Sequence, residues 1–216
     1  MLKKGLPFVL FIAFASIVPT SCNKGTIEYK FEGKVTSALT GLPLTDVDIT
    51  LSQKLIQNGL TGDDHKFAAA DITDANGEFD FTIEREKVTE FLFEYEKDLY
   101  FPLLIEESSA NVSTEDINIY NEEMEPKSWI QIEITNNFPI DTDHIKIITQ
   151  NFREGCYGCG ENKQTEFFGA VDTVLNYLTT GGTYAKITYI NVNTGYSSTD
   201  SIYATPFETT IYPITY

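Results

Sequence analysis

Apolar and polar residues alternate along several short stretches of the chain, and this period of two predicts strands that are buried on one face. In "TIEYKFEGKVT" one such face carries Ile27, Tyr29, Phe31 and Val35. Three further runs alternate in the same way, and their apolar sets are Val47, Ile49 and Leu51; Phe79, Phe81 and Ile83; and Phe91, Phe93 and Tyr95. No long stretch after residue 22 has a helical period, so we predict an all-β fold.

The alternation resumes in the last part of the chain. "SWIQIEIT" places Ile130, Ile132 and Ile134 on one face, and "HIKIITQ", "TYAKITYINV" and "ETTIYPITY" are further predicted strands. Between the two halves lies the polar segment "NEEMEPKS", which contains Pro126. The prediction is therefore two tandem β-sandwiches, over 27–121 and 129–216, joined by a linker at 122–128. The length of the second region fits a sandwich of the immunoglobulin or fibronectin kind, which has about 100 residues.

The segment "DITDANGEFDF" could hold calcium or form a turn. An EF-hand loop with Gly77 at its sixth position would need oxygen ligands at positions 1 and 12, but Ile72 and Ile83 stand there. Asn76-Gly77 between two alternating runs is instead typical of a type I′ hairpin, whose central residues need positive φ. We predict a hairpin turn and no metal site.

The same region carries a family resemblance. "EGKVTSALTGLPLTDVDITL", followed by "TDANGEFDF", resembles the carboxypeptidase regulatory-like domain, a transthyretin-like β-sandwich. The resemblance covers 27–121 and implies seven strands, no catalytic residues and a structural or binding role in exported bacterial proteins. The chain departs from the family in a longer connection at 52–70. Because loops often carry function, this insertion is a candidate for a specific role.

The N-terminus predicts export. Lys3 and Lys4 precede an apolar run from Leu6 to Val18, which is shorter than the roughly 20 residues that span a bilayer. "PTSC" at its end resembles the lipobox of bacterial lipoproteins, with Pro19 where that family usually has an aliphatic residue. The resemblance implies a signal peptide at 1–21, lipidation of Cys22, a short tether at 22–26 and a place in the cell envelope, with the outer membrane favoured.

The negative net charge of the chain argues against two kinds of partner. The chain has a formal charge of −17, and removal of the two signal lysines leaves 13 of its 15 basic residues against all 32 acidic ones, which gives −19. Nucleic acid requires a basic surface, and anionic lipid would repel so acidic a domain. Neither is an expected partner.

Three cysteines occur, and lipidation of Cys22 leaves the pair Cys156 and Cys159 in "REGCYGCG". Such a pair can be a redox motif, half of a zinc site or a small disulfide. Redox catalysis requires a helix N-terminus, and zinc requires four ligands, for which only His65 and His144 are left. An oxidising compartment favours the disulfide.

Catalytic patterns are absent from the sequence. His65 and His144 each stand beside aspartates in polar loops, where solvated histidines are common, and neither a serine nucleophile elbow nor an HExxH helix occurs. Tyrosines near the C-terminus could stack on sugar rings, and the candidates are Tyr196, Tyr203, Tyr212 and Tyr216; tyrosine is equally a common strand residue. We therefore expect no enzyme, cofactor or metal.

The functional expectation is a lipid-anchored accessory or binding module for an envelope protein or polysaccharide. The alternative is a dedicated carbohydrate-binding lipoprotein that uses exposed tyrosines, and a hydrolase is the third hypothesis.

Overall fold

The computed structural model describes residues 26–57, 60–62, 64–160 and 162–216. The predicted signal peptide at 1–21 and Cys22 lie outside the described residues, and so does the tether except for Thr26. The first domain comprises eight strands, namely β1 (Glu28–Ser37), β2 (Asp48–Gln57), β3 (Leu60–Thr61), β4 (Lys66–Ile72), β5 (Glu78–Glu84), β6 (Val88–Glu96), β7 (Leu103–Ser108) and β8 (Asn118–Met124). A short 3₁₀ helix, Ser109–Asn111, follows β7.

Two sheets of the first domain pack face to face. One has the order β5-β1-β8, with β1 and β8 parallel, and the other has β2 at its centre, between β6-β7 on one side and β3 and β4 on the other. The alternating residues of β1, β2, β5 and β6 form the core between the sheets. Phe31, Leu51 and Phe93 are completely buried, whereas Ile27 is exposed at the start of the strand.

The second domain comprises seven strands, namely β9 (Lys127–Thr135), β10 (His144–Gln150), β11 (Gln164–Phe168), β12 (Asp172–Thr180), β13 (Tyr184–Asn191), β14 (Tyr196–Tyr203) and β15 (Thr209–Thr215). Its sheets have the orders β12-β9-β15 and β11-β10-β13-β14. Ile130, Ile132 and Ile134 are fully buried between them, in a core separate from that of the first domain. The predicted all-β fold of two tandem sandwiches is confirmed.

Both domains have the same topology once the two-residue strand β3 is set aside. In each, the first strand lies between the fourth and the seventh, and the second sheet has the order third, second, fifth, sixth. The first and last strands are parallel in both domains. This order differs from the immunoglobulin constant fold, in which the first strand pairs with the second. The second sandwich therefore repeats the strand order of the first.

Little chain separates the domains. The segment predicted as a linker, 122–128, contributes residues 122–124 to β8 and residues 127 and 128 to β9, so that only Glu125 and Pro126 lie between strands. The Lys127 amide donates to the Leu99 carbonyl, 2.7 Å away, and the Gly181 amide donates to the Pro126 carbonyl at 2.8 Å. The junction is thus tied into both domains by backbone hydrogen bonds.

Side chains reinforce this junction. The Arg153 guanidinium lies 3.8 Å from the centre of the Phe101 ring and forms an ion pair with Glu125. Tyr100 packs against Phe207, with ring centres 5.4 Å apart. These contacts join a loop of the second domain to the end of the first.

One position at the junction has a backbone conformation that favours glycine. Gly182 has a φ of +82°, and a Cβ atom there would lie 2.4 Å from Leu39 Cδ1 of the first domain. A larger residue would be strained by this φ and would displace the end of the exposed Leu39 side chain.

The direction of the strands gives the molecule two poles. β1 begins beside β5, where the Arg85 amide donates to the Ile27 carbonyl, and it ends at the junction. β9 leads away from the junction to the loop 136–143 at the far end of the second domain. That loop is bonded to Gly169, Asn193 and Tyr216. The N-terminal end of the first domain and this far end therefore lie on opposite sides of the junction.

The predicted Asn76-Gly77 hairpin is wrong, although a turn is present. β4 pairs with β2 and β5 pairs with β1, so the turn connects the two sheets. Gly77 has a φ of +76°, while Asn76 does not have the positive φ that a type I′ turn requires. The Asp74 carboxylate stabilises the turn by accepting bonds from the backbone amides of Asn76 and Glu78, at 2.8 and 2.9 Å.

The insertion at 52–70 is mostly strand. It extends β2, adds β3 and begins β4, and a bulge at Leu51/Ser52 turns Phe67 outward. Within the described residues, no helix has the length and apolar character needed to cross a membrane.

A tyrosine-lined hollow as the candidate functional site

An open hollow of about 480 Å³ lies between the two sheets of the second domain, on the side where β14 and β15 form their edges. Its wall consists of Tyr189, Tyr196, Ser198, Tyr212, Pro213, Ile214 and Thr215. Tyr196 follows the turn at 192–195 and Thr215 ends β15. The hollow therefore lies in the half of the domain that is far from the junction.

Strand alternation brings these side chains together. On β14, Tyr196, Ser198 and Asp200 share the face that points toward the opposite sheet, and Tyr212 is on the inner face of β15. Tyr189 reaches the hollow from the inner face of β13 and is almost completely buried. Since neither β14 nor β15 has a neighbour on its outer side, the sheets are open here.

Two aromatic rings of the hollow meet at an angle. The rings of Tyr189 and Tyr196 have centres 5.8 Å apart and are tilted by 53°. The Tyr212 hydroxyl donates to the Asp200 carboxylate, and Ser198 Oγ lies 3.5 Å from the same carboxylate. The wall of the hollow therefore has tilted aromatic rings, and the Asp200 carboxylate contacts two of the wall residues without lining the hollow itself.

The pKa values of two tyrosines of the hollow, Tyr212 and Tyr189, are raised, so their hydroxyls stay neutral at physiological pH. Burial raises the pKa of Tyr212, and its hydrogen bond to the Asp200 carboxylate raises it further. Burial also raises the pKa of Tyr189. Both rings therefore present a neutral π face and a hydroxyl.

The four tyrosines of the sequence hypothesis do not lie in one row. Tyr196 and Tyr212 meet in the hollow, whereas Tyr203 is on the other face of β14 and packs against Tyr184, with ring centres 5.1 Å apart. Tyr216 packs against the second core with its hydroxyl buried. Tyr189, Ser198 and Asp200 were not among the predicted residues.

Cys156 and Cys159 form a disulfide with a Cα–Cα distance of 5.2 Å, inside the usual range for such bonds. Their loop runs along the edge strand β12, where the Leu178 amide donates to the Gly158 carbonyl at 2.7 Å and the Gly160 amide donates to the Leu178 carbonyl at 3.1 Å. The loop thereby covers an otherwise open sheet edge, a common device against unwanted strand pairing.

Neither histidine lines the hollow. His65 Nε2 lies 2.9 Å from a Glu90 carboxylate oxygen in the first domain, and His144 Nε2 lies 2.8 Å from Glu166 in the second. His144 also stacks on Phe168, with ring centres 4.3 Å apart. Each histidine is thus paired with a glutamate of its own domain, and none of the described hollows is lined by both histidines.

The described residues contain no group of three or more His, Cys, Asp and Glu side chains that could hold a metal ion. Acidic residues near the Asp74 turn line a surface hollow that includes Asp71, Glu78 and Asp80. Asp71 accepts a bond from the Asp80 amide at 2.9 Å. The Asp71 carboxylate therefore acts in a backbone hydrogen bond.

No protein-family model matches the chain, and no curated protein matches it. Solved structures give weak similarities. The Bacillus anthracis TIE protein is 11% identical with a TM-score of 0.38, and the match covers 88% of this chain and 34% of that one. A streptococcal ancillary pilin is 14% identical with a TM-score of 0.38, covering 88% and 63%. The shaft pilin SpaA of Lactobacillus rhamnosus GG (D295N mutant) is 12% identical with a TM-score of 0.34, covering 87% and 98%.

The chain thus spans about a third of the TIE protein and less than two thirds of the ancillary pilin. TM-scores this low are insufficient to transfer a family or a function to it.

Proposed function

We propose that the protein is a lipid-anchored, non-catalytic binding module of the cell envelope, with the outer membrane as its site. The lipid would be carried by Cys22, and removal of 1–21 would make this cysteine the first residue. β1 starts at Glu28, so the tether at 22–26 holds the first domain close to the membrane. Two or more acyl chains give stable anchoring, because each buried CH₂ contributes about 0.8 kcal/mol.

The observation that carries the proposal is the position of the hollow. The chain enters at one pole of the first domain, and the tyrosine-lined hollow lies beyond the junction in the second domain. A tethered molecule with this arrangement holds its hollow away from the membrane. The first domain would then act as the spacer, in keeping with its resemblance to the carboxypeptidase regulatory-like domain.

The described side chains favour binding over catalysis. Each histidine is engaged by one glutamate on its own domain, and neither lines the hollow. Asp200, the carboxylate beside the hollow, accepts a bond from Tyr212. The partner would be an envelope protein or a polysaccharide. The second candidate is a dedicated carbohydrate-binding lipoprotein, and the meeting of Tyr196 and Tyr212 in one hollow supports it.

Fractionation of bacterial cells tests the tether. The Cys22→Ala chain should move from the membrane fraction to the soluble fraction. The matched control, Cys156→Ala with Cys159→Ala, should stay in the membrane fraction. Retention of the Cys22→Ala chain in the membrane would refute the anchoring.

Binding to purified envelope polysaccharide tests the role of the hollow. The Tyr196→Ala chain should bind less polysaccharide than wild type, and the Tyr203→Ala control should bind as much. Equal binding by all three would exclude the hollow as the polysaccharide site.

A further inference from the structure

We infer that the tyrosine-lined hollow binds an alkylated ammonium group, such as the trimethylammonium of choline, at the end of a larger ligand. The inference rests on the proposed function and deepens it, because it names the chemical class that the hollow recognises. It is carried by the two tilted rings, the Asp200 carboxylate and the composition of the wall.

The rings provide π faces at a suitable separation. A cation is attracted to the face of a tyrosine when it lies within about 6 Å of the ring centre. The centres of Tyr189 and Tyr196 are 5.8 Å apart, so one ammonium group that lies against both rings from the side of the hollow can be that close to both centres. Recognition of quaternary ammonium by several aromatic rings is the best-known use of this interaction.

Asp200 provides the counter-charge. It stands on the inner face of an edge strand, next to the hydroxyls of Tyr212 and Ser198. Among the described residues, no lysine, arginine or histidine forms an ion pair with Asp200, and none lines the hollow. Asp200 does not line the hollow itself but contacts Tyr212 and Ser198 of its wall, so a cation in the hollow would lie near a carboxylate with no cationic partner, within a chain whose formal charge is −17.

The geometry favours an ammonium group over a stacked sugar ring. A sugar platform presents its rings in one plane, whereas Tyr189 and Tyr196 are tilted by 53° and Tyr203 is on the opposite face of β14. The hollow, at about 480 Å³, is larger than a trimethylammonium group and is open, so the rest of the ligand extends into solvent.

Titration of the Cys22→Ala chain with choline and with its neutral isostere 3,3-dimethylbutan-1-ol, at constant ionic strength, separates charge from shape. The ring-proton NMR signals of Tyr189, Tyr196 and Tyr212 should shift and saturate with choline. The isostere should bind at least tenfold more weakly. Equal affinity for the two compounds would overturn the inference, since the hollow would then be only apolar.

Variants locate the site. Asp200→Asn keeps a hydrogen-bond acceptor for Tyr212 and removes the charge, and it should weaken choline binding at least tenfold. Tyr196→Leu keeps apolar bulk at an exposed position and should have a similar effect, even if Asp200→Asn fails to fold. Tyr203→Leu is the matched control and should bind like the Cys22→Ala chain. Unchanged binding by folded Asp200→Asn or Tyr196→Leu, or loss of binding in folded Tyr203→Leu, would contradict the assignment.

The choline titration tests the hollow independently of the proposed lipid anchor at Cys22. Choline binding can be absent while Cys22 is lipidated, and it can be present in a chain that never reaches the membrane. If choline binds, vesicles of phosphatidylcholine identify the source of the group. Vesicle binding lost in Asp200→Asn would support a lipid headgroup, and no vesicle binding would support a soluble or polymer-borne ligand.

Discussion

The two domains share one topology but are filled with different side chains. Seven of the fifteen buried residues of the first core are aromatic, and these are Tyr29, Phe31, Phe79, Phe81, Phe91, Phe93 and Tyr95. The second core is largely isoleucine, and these residues are Ile130, Ile132, Ile134, Ile145, Ile147, Ile187 and Ile214. Cores tolerate different hydrophobic residues when volume and pattern are kept. The comparison shows that alternation and connectivity set this fold, since the identity of the core residues differs so widely.

The same comparison extends to the tyrosine on the last strand of each domain. In the first, Tyr120 of the last strand packs against Phe93, with ring centres 4.5 Å apart. In the second, Tyr212 of the last strand bonds to Asp200 and lines the hollow. The tyrosine of the last strand thus packs on a ring of the fifth strand in one domain and bonds to a carboxylate of the sixth strand in the other.

The largest expected effect comes from the first core. Phe31→Ala should lower the free energy of unfolding of the first domain by about 3–5 kcal/mol, because a fully buried ring leaves a cavity. Circular dichroism should show an earlier transition. Trp129 is the single tryptophan of the chain and lies in the second domain. The unfolding transition followed by its fluorescence should shift much less.

Ile132→Val is the corresponding variant of the second core. It should lower the free energy of unfolding of the second domain by about 0.5–1.5 kcal/mol, and the fluorescence of Trp129 should report most of this change. Equal shifts of both signals in Phe31→Ala would show that the domains unfold as one unit, against two separate cores.

Loss of the disulfide should have an intermediate effect that is confined to the second domain. Cys156→Ser with Cys159→Ser should lower stability by about 2 kcal/mol, as the loop-entropy estimate gives for so short a loop. Urea unfolding followed by Trp129 fluorescence measures this change. A larger change in a signal of the first domain would contradict the local role of the loop.

Side-chain contacts at the junction should contribute less to stability than the disulfide does. Arg153→Ala removes the contact with Phe101 and the ion pair with Glu125, which are partly exposed, and should cost about 1 kcal/mol. The transitions of the two domains should separate further in calorimetry. Arg85→Ala, at the opposite pole of the first domain, is the control and should leave their separation unchanged.

The smallest effect concerns pH, and each domain provides one test. Bonds from the Glu78 and Asn76 amides lower the pKa of Asp74 in the first domain. A bond from His144, with help from Lys146, lowers the pKa of Glu166 in the second. Because both folded-state pKa values are depressed, the stabilisation is present at neutral pH and is lost as the pH falls through them.

Asp74→Asn and Glu166→Gln should each flatten the acid limb of the stability curve of their own domain. Denaturant midpoints measured between neutral pH and about pH 3 report this slope. An unchanged slope in both variants would show that these hydrogen bonds do not contribute.

Sequence patterns predicted the central strands and missed most edge strands. β1, β2, β6, β9, β10 and β13 all have a neighbour on both sides and were predicted, whereas β4, β7, β8, β11, β12 and β14 are edges and were not. Edge strands bury less, so their inner faces need not be apolar. β14 has Ser198 and Asp200 on its inner face, and β4 has alanines, which removes the contrast on which the prediction depends.

Only some residues of the hollow were predicted, and the missing strand β14 is again part of the reason. Tyr196 and Tyr203 are seven residues apart, an odd separation that places them on opposite faces of one strand. This signal was available once β14 was known to be a strand. The pairing of Tyr196 with Tyr189 and Tyr212 depends on how the two sheets stack, which alternation does not specify.

Energy transfer from the lipidated protein to an acceptor dye in the vesicle surface tests the central claim most directly. A donor would be attached to Leu60→Cys, at the N-terminal pole, or to Phe138→Cys, in the loop at the far end; both side chains are exposed. The two positions are separated by roughly two strand lengths, about 60 Å for strands of nine residues at 3.3 Å each. Transfer should be strong from position 60 and weak from position 138. Equal transfer from both would show that the second domain lies on the membrane, and would contradict its display away from the tether.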